Sequence, residues 1–268
     1  MALTVATWNI NSVRLRIDLV LRFLQERRPD VLCLQETKAI DDAFPVKAFA
    51  EAGYRHRVIR GMKSYNGVAI LSKLPLDDVG GHVWCGKDDC RHVFATLPGG
   101  IELHNFYIPA GGDIPDPAEN PKFAHKLAFL DETRDWLLRG RRPDKPMILV
   151  GDLNIAPLEH DVWSHKQLLD VVSHTPIEVE KLGAIQAAGD WVDAVRHFVP
   201  ADRKLYSWWS YRARDWAEAD RGRRLDHVWV TPPLKGRLQS ADILREARGW
   251  TQPSDHVPVV VTLDPGVA

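Results

Sequence analysis

The chain has 268 residues, 45% of them hydrophobic and 26% charged, and a formal net charge of −1. This is the balance of a soluble globular protein long enough to bury a large two-layer core, and it excludes a disordered or strongly basic chain. The longest apolar run, Val257 to Leu263, is broken by Pro258 and is far too short to cross a bilayer.

The start Met1-Ala2-Leu3-Thr4 has no basic region followed by an apolar stretch, so no secretory leader is expected and the location expected is intracellular, in the cytoplasm. Three cysteines, Cys33, Cys85 and Cys90, make no disulfide framework. Cys33 lies in an apolar run and reads as a small buried hydrophobe, while Cys85 and Cys90 lack the paired ligands of a structural zinc site. A net charge near zero leaves nucleic acid open as a partner, because a binding face needs only a local excess of cations.

Leu3 to Ile10 is rich in β-formers with partial alternation and predicts a strand. Val13, Ile17, Val20, Leu21 and Leu24 follow at helical spacing, and Pro29-Asp30 ends that helix. Val31 to Leu34 predicts a short, fully apolar strand that closes on Gln35-Glu36-Thr37. Later strands are expected at Gly67–Leu71, His92–Leu97, Ile101–Ile108, Met147–Leu153, Leu225–Val230 and Val257–Leu263. The Pro/Gly-rich piece Pro109 to Pro121 predicts a loop. The helix after it carries Phe123, Leu127, Leu130, Leu137 and Leu138 on one side, and another helix is expected over Glu178–Ala188. Strands come both in succession and separated by helices, so an α/β fold with two mixed sheets packed face to face and helices outside is expected. No low-complexity stretch or long linker divides the chain, and residues 1–268 are expected to form a single domain.

Polar residues recur where the apolar strands end. Asn9 and Asn11 follow the first strand, Glu36 the second, and Tyr107 sits near the end of Ile101–Ile108. Asp152 and Asn154 end Met147–Leu153, Asp226 and His227 begin Leu225–Val230, and Asp255 and His256 introduce the last strand. Any one of these reads most simply as a turn former, a strand-end charge or a satisfied structural histidine. Together they carry more. Carboxylates and amides are hard oxygen donors suited to magnesium. A histidine with a carboxylate to fix its tautomer is a general-base arrangement, and asparagine and tyrosine can donate to oxygens that gain charge. The set suits metal-assisted phosphodiester hydrolysis better than acyl transfer, and neither a Gly-x-Ser-x-Gly elbow nor a P-loop is present.

The blocks Thr7-Trp8-Asn9-Ile10-Asn11-Ser12-Val13-Arg14, Leu34-Gln35-Glu36-Thr37-Lys38 and Asn105-Phe106-Tyr107-Ile108-Pro109 are followed by Gly151-Asp152-Leu153-Asn154-Ile155-Ala156-Pro157, Arg224-Leu225-Asp226-His227 and Ser254-Asp255-His256-Val257-Pro258-Val259. In this order, and across nearly the whole chain, they resemble the signature blocks of the exonuclease III family of AP endonucleases. That family lies within the endonuclease/exonuclease/phosphatase superfamily. Pro121-Lys122-Phe123 and Tyr206-Ser207-Trp208-Trp209-Ser210-Tyr211-Arg212 also look like that family.

The resemblance implies a four-layer α/β sandwich with its active site at one edge of two packed sheets. It implies a DNA-repair phosphodiesterase that incises duplex DNA 5′ to abasic sites and removes 3′ nucleotides or 3′ blocking groups. Glu36 would be the principal magnesium ligand, helped by Asn9, Asn11 and Asp255, with manganese able to substitute. Asp152 would position or deprotonate the attacking water, with Asn154 holding it or touching the phosphate. His256, oriented by Asp226, would contact the scissile phosphate, and Tyr107 would donate to a phosphate oxygen; whether Asp152 or His256 is the base stays open. Some relatives carry Asp at the position of Asn11 and a polar amide at that of Ala110.

The segment from Arg203 to Arg224 holds Arg203, Lys204, Arg212, Arg214, Arg221, Arg223 and Arg224, interleaved with Trp208, Trp209, Tyr211 and Trp216. The plain reading is a solvated loop with core aromatics, its charge diluted by Asp215, Glu218 and Asp220. The functional reading is phosphate contacts plus an apolar wall for a base-free sugar, which costs least to extrude. By family analogy Trp208 is that wall and Arg212 approaches the strands, with Arg14, Lys38 and Lys63 as further cations by the cleft. The expected partner is duplex DNA with abasic sites or 3′ ends, bound by a monomer. Inositol-phosphate and lipid phosphodiesterases share the metal and histidine core and are the alternatives. A non-catalytic DNA binder would be expected to lack some of Glu36, Asp152, Asp226 and His256, which are all present.

Overall fold

Along the first strand, β1 (Leu3–Asn9), Val5 faces one side and Ala6 and Trp8 the other, yet all are buried. A strand apolar on both faces needs cover on both. In the computed structural model, which describes residues 2–140, 142 and 144–266, that cover is a second sheet on one side and helices on the other.

After β1 come α1 (Ile17–Arg27), β2 (Val31–Gln35), α2 (Val46–Glu51), β3 (His56–Arg60), β4 (Val68–Ser72), β5 (Asp77–Gly80), β6 (His92–Leu97) and β7 (Ile101–Tyr107). Then follow α3 (Pro121–Gly140), β8 (Met147–Asp152), α4 (His165–Leu168), α5 (Pro176–Ala188), β9 (Val192–Asp193) and β10 (Trp208–Trp209). The chain continues with α6 (Trp216–Ala219), β11 (Gly222–Arg223), β12 (Asp226–Val230), α7 (Pro232–Lys235), β13 (Leu238–Ile243) and β14 (Val259–Leu263).

The first six-stranded sheet runs β13-β14-β1-β2-β4-β3 and the second β5-β6-β7-β8-β12-β9. Each is built around one parallel pair, β1 with β2 and β7 with β8, joined by the crossover helices α1 and α3. All other pairings in both sheets are antiparallel. Val5, Val31, Cys33 and Ile70 of the first sheet meet Val93, Leu103, Ile148 and Val228 of the second in the central core. Trp8, Leu32 and Leu34 pack outward with Phe23 and Leu24 of α1, and Phe106, Leu149 and Trp229 pack outward with Phe123, Leu127 and Leu182 of α3 and α5. The result is the expected four-layer α/β sandwich of mixed sheets, each buried Val, Leu or Phe contributing about 1.5–3 kcal/mol.

Helix ends follow local chemistry. Arg28 closes α1 in the left-handed region, its N–H bonding Leu24 O, before Pro29 forbids continuation. The helix expected to begin at Glu178 starts at Pro176, because Thr175 caps it and Glu178 reaches back in a capping box. All four edge strands of the two sheets, β3, β5, β9 and β13, were not expected. Their burial alternates weakly or not at all, since an edge strand shows much of itself to solvent.

Candidate active site

Strand register sets the site. Asn9 pairs with Gln35 at the end of β1 and β2, so Glu36 follows at that rim. In the other sheet Tyr107 and Asp226 both pair with Asp152, which aligns three functional side chains across β7, β8 and β12. His256 bridges to Trp208 just before β14. The rims of both sheets therefore open into one cleft, a cavity of about 610 Å³ lined by Glu36, Asn154, Trp208, Arg212, Asp255 and His256 among others.

Several of these positions are strained. Asn11, Glu36, Lys38 and Asn154 have φ of 48°, 48°, 51° and 53°. Asparagine tolerates the left-handed region, but Glu36 and Lys38 do so at about 1–3 kcal/mol each, which the surrounding bonds must offset.

Those bonds form two connected groups. Asn9 Nδ2 donates to Glu36 Oε1 at 2.9 Å and to Asp152 Oδ2 at 2.8 Å, linking the two sheets, and Tyr107 OH donates to Glu36 Oε1 at 2.9 Å. Lys38 Nζ lies 2.8 Å from Glu36 Oε2 and donates to Asn11 Oδ1 at 2.6 Å, while Asn11 Nδ2 donates to Asp255 Oδ1 at 3.1 Å. Trp208 Nε1 completes this group by donating to Asp255 Oδ2 at 2.9 Å.

In the second group His256 Nδ1 donates to Asp226 Oδ2 at 2.8 Å, and Ser207 Oγ donates to the same oxygen at 2.6 Å. His256 Nε2 is 3.6 Å from Asp152 Oδ2. Asn154 holds Asp152 twice, through its N–H to Oδ1 at 2.9 Å and its Nδ2 to Oδ2 at 3.2 Å.

The electrostatics divide these acids. Burial raises Asp152, with Asp226 and Glu36 adding to it against His256 and Asn9, and its carboxyl is pushed up to about 7. Burial works against a charged His256, but Asp226 and Asp152 outweigh it and raise the imidazole to about 10. Burial would raise Glu36 too, yet Lys38 and the Asn9 hydrogen bond hold it below the usual carboxylate range. Asp255 is likewise lowered, burial being overcome by His256, Trp208 and Asn11. Tyr107 is raised well above the ordinary phenol value, first by burial and then by Glu36 and Asp152, so it stays a donor.

Two groups of side chains offer oxygen donors to a metal. Among the described residues, Asp152, Asp226 and His256 bring ligand atoms within 4.8 Å of one another. A protonated His256 is a poor ligand, however, and Asp226 Oδ2 is already committed. Glu36 and Asp255 offer a second candidate set. Both are held ionised, and Glu36 Oε2 and Asn11 Oδ1 already converge on one cationic atom, Lys38 Nζ, a place where hard oxygens face a positive charge.

Of the expected DNA contacts, Trp208 and Arg212 line the cleft, and Lys38 is held beside it by Glu36, a lining residue, and by Asn11. Arg14 is exposed on the turn between β1 and α1. Arg224 does not belong to this surface. It is fully buried, with Nε on Asp161 Oδ1 at 2.8 Å, Nη2 on Asp161 Oδ2 at 3.0 Å and Nη1 on Asp193 at 2.6 Å, because its neighbours Leu225 and Asp226 enter the core. Arg223 instead lines the wall, its guanidinium 5.3 Å from the Trp208 ring and bonded to Ser173 Oγ at 2.7 Å.

Sequence reasoning assigned no role to Ser207, Gln35 or Asn105. Ser207 Oγ supports Asp226 and accepts from its N–H at 3.0 Å. Gln35 Nε2 donates to Asn105 Oδ1 at 2.7 Å, and Asn105 Nδ2 donates to Leu34 O and Ala69 O, both at 3.0 Å, pinning one sheet to the other. The signal for the last pair was a buried amide inside each of two apolar strands.

This architecture and this site define a hydrolase. The sequence profile of the Endonuclease/Exonuclease/phosphatase family matches residues 6–256. The structure of an AP endonuclease from Archaeoglobus fulgidus is 34% identical with a TM-score of 0.91, covering 98% of this chain and 99% of that one. The 3′-5′ exonuclease NExo from Neisseria meningitidis is 29% identical with a TM-score of 0.89, covering 98% and 100%. An exodeoxyribonuclease of Bacillus subtilis (strain 168) is 30% identical over 269 residues, 96% of this chain and 98% of its own length. The chain belongs to the endonuclease/exonuclease/phosphatase family, in its exodeoxyribonuclease III and AP endonuclease branch.

Proposed function

We propose that this protein is a DNA-repair phosphodiesterase that cuts duplex DNA 5′ to abasic sites and trims 3′ nucleotides or 3′ blocking groups. The observation that carries the reading is the close approach of buried Asp152, raised to about 7, to an imidazolium at His256, which lines the cleft together with Glu36. A carboxylate near 7 can take a proton from water at neutral pH, whereas a charged histidine cannot. Asp152 is therefore the base. It draws the proton from water attacking the phosphorus, a P–O bond forms, and the bond to the leaving oxygen breaks, that oxygen taking up a proton from solvent.

His256, fixed by Asp226 at 2.8 Å, donates from Nε2 to a phosphate oxygen as charge builds. Tyr107 keeps its proton and donates beside it. Asn154 aims Asp152 through its two bonds. Magnesium, or manganese in its place, would be held by Glu36 and Asp255 with Asn9 and Asn11, and would supply positive charge beside the phosphate oxygens. Trp208 walls the pocket for a base-free sugar, with Arg212, Arg14 and Lys38 meeting phosphates.

The reading takes residues 1–268 as one domain, working as a monomer in the cytoplasm. No helix among the described residues is long and apolar enough to cross a membrane. The test is a labelled duplex with one abasic-site analogue, an undamaged control, and arms with magnesium or chelator. A magnesium-dependent nick 5′ to the lesion is expected. Intact duplexes, with hydrolysis of inositol phosphates or lipid phosphodiesters instead, would overturn the proposal.

A further inference from the structure

An ion pair that touches no reacting group lies behind the residues lining the cleft. Lys126 occupies the apolar stripe of α3 between Phe123 and Leu127, and it and Glu178 of α5 are both completely buried. The ammonium has three protons and three acceptors: Glu178 Oε1 at 2.5 Å, Asn154 O at 2.8 Å and Ala110 O at 3.2 Å. Glu178 Oε2 in turn accepts from Ser173 N at 2.9 Å, Thr175 N at 3.2 Å and Thr175 Oγ1 at 2.6 Å.

Removing two charges from water is costly, and well-packed apolar side chains commonly replace such a pair with no loss of stability. Stability alone therefore gives a weak reason for it. Its geometry gives a stronger one. Lys126 grips the main-chain carbonyl of Asn154, whose backbone is left-handed at φ 53° and whose N–H and side chain both hold Asp152. Glu178 fixes Ser173, which receives Arg223 at the cleft wall.

We infer that Lys126 and Glu178 are positioning residues for hydrolysis, setting Asn154 and through it Asp152, and seating the Ser173 loop against Arg223. The inference rests on the proposed roles of Asp152 and Asn154. Its test is the double variant Lys126→Met/Glu178→Leu, assayed on the abasic duplex beside wild type. The double variant is expected to melt cooperatively near the wild-type temperature, with kcat lowered about tenfold or more and KM within about twofold. Recovery of wild-type kcat together with stability, or a loss confined to KM, overturns the positioning role.

Should the double variant fail to fold, Glu178→Gln is combined with Asn154→Ala. A pair acting through Asn154 makes the kcat losses non-additive, Glu178→Gln costing nothing further once Asn154 is truncated; additive losses overturn the inference. Wild type separates the two readings. If wild type does not cut, the function assigned to the site is wrong, whereas if wild type cuts and the variants are undiminished, only the pair's role is lost.

Discussion

Asp152 and His256 face each other at 3.6 Å, one carboxylate raised to about 7 and one imidazole raised to about 10. Both groups are raised above their ordinary values and their order is kept: the carboxylate holds its proton more tightly than usual but still titrates below the imidazole, which almost always keeps one. That order is the basis of the roles proposed for them in hydrolysis.

Removing either group is expected to be severe. Asp152→Asn and His256→Ala should each lower kcat on the abasic duplex by about 10²–10⁴-fold, the usual scale for a positioned proton-transfer group. Glu36→Ala should lower cleavage comparably and raise the magnesium concentration needed for half-maximal rate. Steady-state cleavage with circular dichroism melts checks all three; near-wild-type turnover in a folded variant refutes that residue's role.

The pH profile carries its own sign. Asp152 must be ionised to accept a proton, so the rate should fall about tenfold per unit below its pKa. The break is expected at or below about 7, because a cation at Glu36 favours the charged carboxylate. His256 must be protonated, so no alkaline fall is expected until near 10. A histidine-type base would instead make the rate track deprotonation of an imidazole and lose the acid limb in His256→Ala.

Trp208 walls the cleft while its indole N–H also holds Asp255. Trp208→Phe keeps the wall and removes the donor, whereas Trp208→Ala removes both. Abasic-site cutting by Trp208→Ala should fall more than binding to undamaged duplex, with Trp208→Phe between. Equal losses on both duplexes would place the sugar pocket elsewhere.

Stability should fall in mild acid. His92 and His104 are fully buried and bonded to each other at 3.0 Å, with His104 also on Glu102 at 2.7 Å. Burial lowers both, His104 to about 3, from the ordinary imidazole value of 6.5. The unfolded chain therefore binds more protons than the folded one between these values. Their contribution is fully present above 6.5 and fades as pH drops toward the folded values, by about 1.4 kcal/mol per pH unit for each histidine. The melting temperature of His92→Phe/His104→Phe should depend less on pH between 7 and 5 than that of wild type, and parallel slopes would contradict this.

The strands that build the rim were readable because both faces are covered, which buries Val31–Gln35 and Val68–Ser72 throughout and makes all but their last residues apolar. The site was readable because its side chains sit where such strands stop. What escaped was partnership across distance. Nothing near Arg224 in sequence says that Asp161 and Asp193 wait for it in the interior, so it passed for one more surface cation. Lys126 escaped for the opposite reason. A lysine beside Phe123 and Leu127 on an apolar stripe was a visible anomaly, but its acceptors at Ala110, Asn154 and Glu178 come from three other segments.

The bridge between Gln35 and Asn105 reaches beyond the core. Glu36 belongs to one sheet and Asp152 to the other, so the spacing of the reaction centre is a measure of how the sheets are seated, as the jaws of a caliper report the travel of its beam. A substitution in the central layer that lets one sheet slide should then detune turnover without altering a single residue in the cleft. The buried amides that lock that travel are, in effect, part of the enzyme's calibration.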